Sequence, residues 1–169
     1  TGTGNQIWGN NIGGNSASGT GRWLKTNSGN NLFSAISVNG TSVNNPGFIS
    51  LDGSLRNNVI SLFDWSNSGN ASWRGLHIGD LAYFFVGNIS YGNNPYEYAN
   101  IIGSRTEANS IILTQGATSV NTLYHYTGFF GICHESRQPQ NIHSNIIGGI
   151  TTRTSNSAHG CNLFGIGKI

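Results

Sequence analysis

Residues 73–90 read WRGLHIGDLAYFFVGNIS and carry the strongest strand signal in the chain. The run from Leu81 to Tyr91 is mostly apolar at its start and has the length of a strand, and Trp73 to Ile78 forms a second short apolar segment. Gly79-Asp80 separates the two segments, and both residue types favour tight turns. The stretch therefore predicts two short β-strands joined by a turn.

The same pattern continues on both sides of this stretch. Short apolar runs such as Leu32 to Val38, Phe48 to Leu51 and Val59 to Trp65 alternate with turn clusters that include Asn39-Gly40 and Asp52-Gly53. Asn-Gly and Asp-Gly are the commonest dipeptides of tight β-hairpins. No window keeps a helical periodicity over three turns. We therefore predict an all-β fold of about nine or ten strands.

Two all-β architectures fit this pattern. A β-sandwich or jelly-roll-like head explains the hairpin dipeptides and the alternation of apolar and polar residues. A parallel β-helix explains the abundance of Asn and the recurring pairs Ile101-Ile102, Ile111-Ile112 and Ile146-Ile147. No fixed period links these pairs, although a repeat fold is expected to show one. We favour the sandwich and keep the parallel β-helix as the alternative.

The composition excludes several classes of function. Gly, Asn, Ser and Thr make up 82 of the 169 residues, and only 8% are charged. The eight Lys and Arg residues are scattered, which argues against binding to nucleic acid and against a basic membrane-binding patch. No apolar run approaches the roughly 20 residues of a membrane-spanning helix. A surface hydrated by hydroxyl and amide groups favours an extracellular or virion-surface protein that associates with copies of itself.

Residues 1–30 predict an extended arm or shaft junction, and residues 31–169 predict the β-sandwich domain. Six Gly occur in the first nineteen positions, where Ile7, Trp8 and Ile12 are the large apolar side chains. Such a segment has too little apolar area to fold alone. We therefore expect it to lie on something else, either a neighbouring subunit or an upstream shaft.

The two cysteines, Cys133 and Cys161, allow two interpretations. A disulfide across this span adds roughly 3–4 kcal/mol in the chain-entropy model, whereas two cysteines alone do not define a disulfide framework. The alternative is a pair of free, buried thiols. Together with His134, His143 and His159 the cysteines match no standard zinc spacing, so we expect no metal and no cofactor.

Surface aromatic residues are the strongest candidates for a binding site. Trp65, Trp73, Tyr96 and Tyr98 lie in or beside polar, turn-rich segments, and Asp80 lies in a turn dipeptide. Aromatic rings cover the apolar face of a sugar, while carboxylates and amides bind its hydroxyl groups. We expect these five residues to contact a glycan, with the alternative that the two Trp side chains belong to the core.

The sequence contains no motif typical of a catalytic site. It has no Gly-x-Ser-x-Gly nucleophile elbow and no phosphate-binding loop. Asp64 and Glu97 are each flanked by aromatic residues, but nothing brings them together as a glycosidase requires. We therefore predict a protein without catalytic residues.

One alternative is a fragment of a polysaccharide depolymerase that uses Asp64 and Glu97. Another is an extracellular filament subunit whose Gly-rich arm donates a strand to the next subunit.

The stretch from Trp73 to Ser90 also resembles a segment of the C-terminal head domains of bacteriophage tail fibres and receptor-binding proteins. An aromatic residue precedes Ile78-Gly79-Asp80, which is followed by the apolar run Leu81 to Val86 and by Gly87-Asn88-Ile89-Ser90. The resemblance implies a homotrimeric β-sandwich in which Gly79-Asp80 turns between antiparallel strands. It also implies attachment to a host surface glycan or receptor. We predict a receptor-binding adhesion module.

Overall fold

The chain forms four successive coils, each built from four short strands. The computed structural model describes residues 5–14, 20–27, 29–40, 53–68, 71–80, 82–87, 94, 96–116, 128–138, 140–154 and 162–168. Coil 1 extends from Asn5 to Gly40, coil 2 from Gly53 to Asp80, coil 3 from Phe84 to His134 and coil 4 from Asn141 to Lys168. The strands of the described residues are β1 Asn5–Trp8, β2 Asn11–Ile12, β3 Trp23–Leu24, β4 Phe33–Gly40, β5 Gly53–Arg56, β6 Val59–Ile60, β7 Phe63–Asn67, β8 Trp73–Asp80, β9 Phe84–Gly87, β10 Ile101–Gly103, β11 Ile111–Gln115, β12 Phe129–His134, β13 Asn141–His143, β14 Ile146–Gly148, β15 Ile150–Thr154 and β16 Leu163–Lys168.

Equivalent strands of the four coils stack into four parallel sheets. Sheet A contains β1, β5, β9 and β13, and sheet B contains β2, β6, β10 and β14. Sheet C contains β3, β7, β11 and β15, and sheet D contains β4, β8, β12 and β16. Each strand therefore pairs with strands one coil away and not with its neighbour along the chain, which is the arrangement of a parallel β-helix. The all-β prediction is confirmed, and the architecture is the predicted alternative rather than the hairpin-built sandwich.

Two of the dipeptides predicted as hairpin turns end neighbouring strands of sheet D. Asn39-Gly40 closes β4 and pairs in parallel with Gly79-Asp80, which closes β8. The chain does turn after Asp80, where φ is 47°, and the Ala82 N–H donates to the Gly79 carbonyl oxygen. The turn is confirmed, but the antiparallel pairing is wrong, because the turn leads from sheet D of coil 2 into sheet A of coil 3. Asp52 and the predicted strand at residues 48–51 lie outside the described residues.

One asparagine per coil lies at the corner between sheets A and B, and the four side chains form a ladder. The Nδ2 of Asn10 donates to Oδ1 of Asn58 at 2.9 Å, Asn58 donates in the same way to Asn100 at 2.9 Å, and Asn100 donates to Asn145 at 2.8 Å. Asn58 and Asn100 are fully buried. A primary amide donates and accepts at once, so the same residue can repeat in every coil and fix how the coils stack.

Apolar side chains from all four sheets fill the interior of the stack. Ile101 and Ile102 of β10 pair with Ile146 and Ile147 of β14, so two of the Ile-Ile pairs seen in the sequence are aligned neighbours. An aromatic cluster lies between sheets C and D, with ring centroids 4.5 to 6.0 Å apart. Its members are Trp23, Phe33, Phe63, Trp65 and Trp73. These contacts hold coils 1 and 2 together beneath sheets C and D.

The third residue of every strand in sheet D is small: Ala35, Gly75, Gly131 and Gly165. A Cβ atom on Gly75 would lie 2.6 Å from the Gly131 carbonyl oxygen, and one on Gly131 would lie 2.7 Å from the Gly165 carbonyl oxygen. The core residues Trp73 and Leu76 are three positions apart instead of two, so the inward alternation of β8 is reset at Gly75. This column of small residues therefore marks a bend that runs through the sheet.

Described residues of the predicted arm lie on the second coil of the same chain. Strands β1, β2 and β3 pair with β5, β6 and β7. The guanidinium of Arg22 donates to the carbonyl oxygens of Phe63 at 3.2 Å and Ser110 at 3.1 Å, and so links three coils. Strand β4, beyond the predicted boundary at residue 30, belongs to the same coil. Among the described residues, no helix is long and apolar enough to cross a membrane.

Candidate functional site

The outer face of sheet D carries four polar side chains that contact one another in sequence. The Ser37 Oγ on β4 lies 2.8 Å from Nδ1 of His77 on β8. The Nε2 of His77 lies 3.0 Å from Oε2 of Glu135, which directly follows β12. A guanidinium nitrogen of Arg74 on β8 lies 2.6 Å from the other oxygen, Oε1, of Glu135. We call Ser37, Arg74, His77 and Glu135 the outer polar cluster.

Strand register brings the outer polar cluster together. Ser37 pairs with His77, and His77 pairs with Cys133 of the next coil. The flanking residues Ile36 and Val38 belong to the buried core. Because successive side chains of a strand point to opposite faces, Ser37 points to the outer face of sheet D, and the aligned residues His77 and Cys133 point to the same face.

Exposure changes across the cluster. Ser37 is exposed, whereas the side chains of His77 and Arg74 are only 11% and 6% exposed, and that of Glu135 is 26% exposed. A carboxylate only accepts hydrogen bonds, so Glu135 fixes the imidazole N–H on Nε2 and leaves the Nδ1 lone pair facing the Ser37 hydroxyl. The arrangement therefore places a proton acceptor, Nδ1 of His77, within hydrogen-bonding distance of the exposed Ser37 hydroxyl group.

Cys133 is the second nucleophilic side chain near His77, but it is fully buried and its thiol is free. Burial raises the pKa of the Cys133 thiol to about 11, while the charges of Arg74 and Glu135 act in opposite directions. A thiol with this pKa stays protonated and unreactive at neutral pH. Cys161 lies outside the described residues. Cys133 is therefore described as a free, buried thiol, and the predicted pairing with Cys161 stays a prediction.

Tyr96 and Tyr98 are the predicted binding residues that the structure brings together. They lie on a turn between β9 and β10, and their exposed fractions are 49% and 42%. The turn is attached to coil 2, since the Asn57 N–H donates to the Tyr98 carbonyl oxygen at 2.9 Å. The Arg105 guanidinium lies over the Tyr96 ring, 5.5 Å from its centroid, and the side chain of Glu97 between the two tyrosines is exposed.

The connection that carries these tyrosines is an extended version of a short corner. Sheets A and B are joined by residues 9–10 in the first coil, by residues 57–58 in the second and by residues 144–145 in the fourth, whereas the third coil uses residues 88–100. All four connections end on the ladder asparagine. Long connections on a regular scaffold commonly carry binding residues, so this corner is a candidate binding site.

The other three predicted binding residues lie on other sheets. Trp73 is fully buried and packs against Phe33 and Phe63, which corrects its assignment to a binding surface and matches the core alternative. Trp65 is half-buried in sheet C, where its ring centroid lies 4.5 Å from that of Phe33. Asp80 is exposed at the end of β8 in sheet D.

The carboxylates suggested for a depolymerase do not share a face. Asp64 lies on β7 in sheet C, aligned with Leu24 and Ile112. Glu97 lies at the corner between sheets A and B, so sheet B separates the two residues along the coil. Within the described ranges, no three His, Cys, Asp or Glu side chains are grouped to hold a metal ion.

No family model, curated protein or solved structure matches this chain. Sequence reasoning missed the outer polar cluster, because Ser37 and His77 are 40 residues apart and His77 and Glu135 are 58 residues apart. The one local signal is His77, a polar residue between the buried Leu76 and Ile78.

Proposed function

We propose that this chain is an adhesion module of an extracellular or virion-surface protein and that it binds a glycan at the turn carrying Tyr96 and Tyr98. The observation that carries the proposal is the pair of exposed tyrosine rings on an attached turn, with the Glu97 carboxylate between them and the Arg105 guanidinium beside them.

These groups suit a sugar ring chemically. Aromatic faces pack against the apolar C–H face of the ring, and a carboxylate and a guanidinium bind its hydroxyl groups as acceptor and donor. The hydrogen bonds from Asn57 to Tyr98 and from Ala99 to Tyr96 hold the turn in place before binding. A held turn loses little conformational entropy when the ligand binds.

Tyr96 and Tyr98 are two exposed rings on one turn, and several copies acting together would provide stable attachment. The proposal keeps the homotrimer that the tail-fibre resemblance of residues 73–90 implies, which would present three such turns to one host surface. Light scattering of the full chain measures this directly, and a clean monomer would contradict the trimer.

A glycan array probed with the full chain and with Tyr96→Ala and Tyr98→Ala variants tests the proposal. Loss of either ring should weaken binding by about tenfold or more, while Tyr96→Phe, which keeps the ring, should stay close to wild type. Trp8→Ala is the matched control, because Trp8 is also exposed and also carries a guanidinium, that of Arg56, over its ring. Wild-type chain that binds no glycan, or equal losses in the control, would contradict the proposal.

Neither alternative function gains support from the placement of its residues. Strand donation by the arm requires free strands, but β1, β2 and β3 already pair within their own chain. Depolymerisation by Asp64 and Glu97 requires both carboxylates at one sugar bond, and they lie on different sides of the coil.

A further inference from the structure

We propose that the outer polar cluster of sheet D is a serine hydrolase site for carboxylic esters. Ser37 is the nucleophile and His77 is the general base and acid, while Glu135 and Arg74 are positioning residues. The site is separate from the Tyr96–Tyr98 turn. The proposal goes beyond glycan binding and departs from the sequence-based expectation of a protein without catalytic residues.

The contacts satisfy the geometric requirements of an activated serine. The Ser37 hydroxyl lies 2.8 Å from His77, and His77 lies 3.0 Å from Glu135, so nucleophile, base and carboxylate follow one another at hydrogen-bonding distance. Such sites are recognised by the roles of their members and not by their sequence order. Neutral imidazole has one N–H and one lone pair, so Nδ1 can accept the serine proton when Nε2 faces the carboxylate.

The exposure of the side chains in the cluster also fits an active site. Its reactive hydroxyl is exposed, whereas the side chains that orient it are largely buried. The ion pair with Arg74 holds one oxygen of Glu135, and the other oxygen therefore stays on the histidine. The neighbouring Cys133 is buried, which leaves Ser37 as the accessible nucleophile of the cluster.

Ester hydrolysis at this site takes two balanced steps. The Ser37 Oγ attacks the ester carbonyl carbon while His77 takes the hydroxyl proton; the ester C–O bond then breaks, and His77 returns the proton to the departing alcohol oxygen. Water attacks the acyl-serine in the same manner and releases a carboxylic acid and free Ser37.

The exposed position of Ser37 suits a short acyl group. Phe130, which is aligned with Arg74, stacks on Phe164 with ring centroids 4.8 Å apart. Phe130 is only 2% exposed, so Phe164, at 41%, is the member of this pair that adds exposed apolar area to this face. Because Ser37 lies on the outside of a sheet, we assign as substrate class the esters of short carboxylic acids carried on an accessible hydroxyl group.

Hydrolysis of 4-nitrophenyl acetate by the full chain is the first test, with Ser37→Ala as the variant and Ser34→Ala as its control. Ser34 lies on the same strand and is aligned with Arg74. Ser37→Ala should lower kcat by about 10³-fold or more, and Ser34→Ala should stay within about twofold of wild type. Wild-type chain without turnover, or Ser37→Ala at the wild-type rate, would overturn the proposal.

Covalent labelling with a fluorophosphonate gives an independent readout. Mass spectrometry should find the label on the peptide that contains Ser37, and Glu135→Gln should slow labelling and lower kcat with KM unchanged. If Glu135→Gln lowers the thermal midpoint but leaves labelling and kcat intact, Glu135 has only a structural role and the triad assignment fails. Glycan binding should be unchanged in Ser37→Ala, so this proposal and the adhesion proposal fail separately.

Discussion

Replacing Asn100 by alanine should destabilise the chain by about 4 kcal/mol, because four hydrogen bonds of the ladder end on this one side chain. Its Nδ2 donates to the Leu55 carbonyl oxygen and to Asn145 Oδ1, both at 2.8 Å. Its Oδ1 accepts from the Asn58 N–H at 3.1 Å and from Asn58 Nδ2 at 2.9 Å. Each bond contributes about 1 kcal/mol net, and full burial leaves the abandoned partners without water. That loss is a large part of the roughly 5–15 kcal/mol that stabilises a typical domain.

The end of the ladder provides the matched control. Asn10 is exposed, and its side chain donates to Asn58 at 2.9 Å and to the Trp8 carbonyl oxygen at 3.3 Å. Water can replace these bonds, so Asn10→Ala should cost about 1 kcal/mol or less. Urea unfolding followed by tryptophan fluorescence measures both variants. Equal costs for Asn100→Ala and Asn10→Ala, or a cost below about 1.5 kcal/mol for Asn100→Ala, would show that the ladder does not stabilise the stack as argued.

Two further predictions concern sheet D. Gly131→Ala should lower the free energy of unfolding by about 1–3 kcal/mol, because its Cβ would lie 2.7 Å from the Gly165 carbonyl oxygen and 2.8 Å from Ile147. Gly165→Ala is the control and should be nearly neutral, because its Cβ would meet nothing within 4 Å. A similar loss of stability in both variants would refute this account of the small residues in sheet D. Burial lowers the pKa of His134 below its ordinary 6.5, and the charge of Lys168 acts in the same direction. The unfolded chain therefore binds this proton more readily, and stability should fall as the pH drops below about 6.5. The urea midpoint should be measured at about pH 7.5 and about pH 5.5 for wild type and for His134→Gln. The midpoint should fall less between these pH values in His134→Gln than in wild type, and an equal fall would contradict the prediction.

The all-β class was predictable because it follows from local composition, but the β-helix was hidden by the unequal length of the coils. Gly53 pairs with Phe84 of the next coil, whereas Phe85 pairs with Asn141 of the coil after that, which is a much longer separation along the chain. Such uneven spacing leaves no period to detect. Turn dipeptides such as Asn39-Gly40 also cannot distinguish a hairpin from a coil corner, because both need the same backbone chemistry and differ only in which strands pair afterwards.

The two candidate sites also differ in how far the local sequence could predict them. The exposure of Tyr96 and Tyr98 on one turn was predictable, because they are neighbours in a polar segment and a turn needs only local sequence. The outer polar cluster draws its residues from three different coils, so it exists only after stacking has aligned Ser37 with His77. The assignment of Trp73 to the binding surface was wrong. Its turn-rich flanking sequence suggested a surface residue, but the side chain lies on the inner face of sheet D and is fully buried.

The extended corner of the third coil has a consequence for how this protein can change. Register between coils is set by the strands and by Asn100, and both are retained although this corner is far longer than the dipeptide corners of the other coils. The segment between Gly87 and Asn100 can therefore diverge in length and sequence with little cost to the stack. Under the adhesion proposal, recognition of a new surface can evolve at this corner while the core and its hydrogen-bond ladder stay as they are.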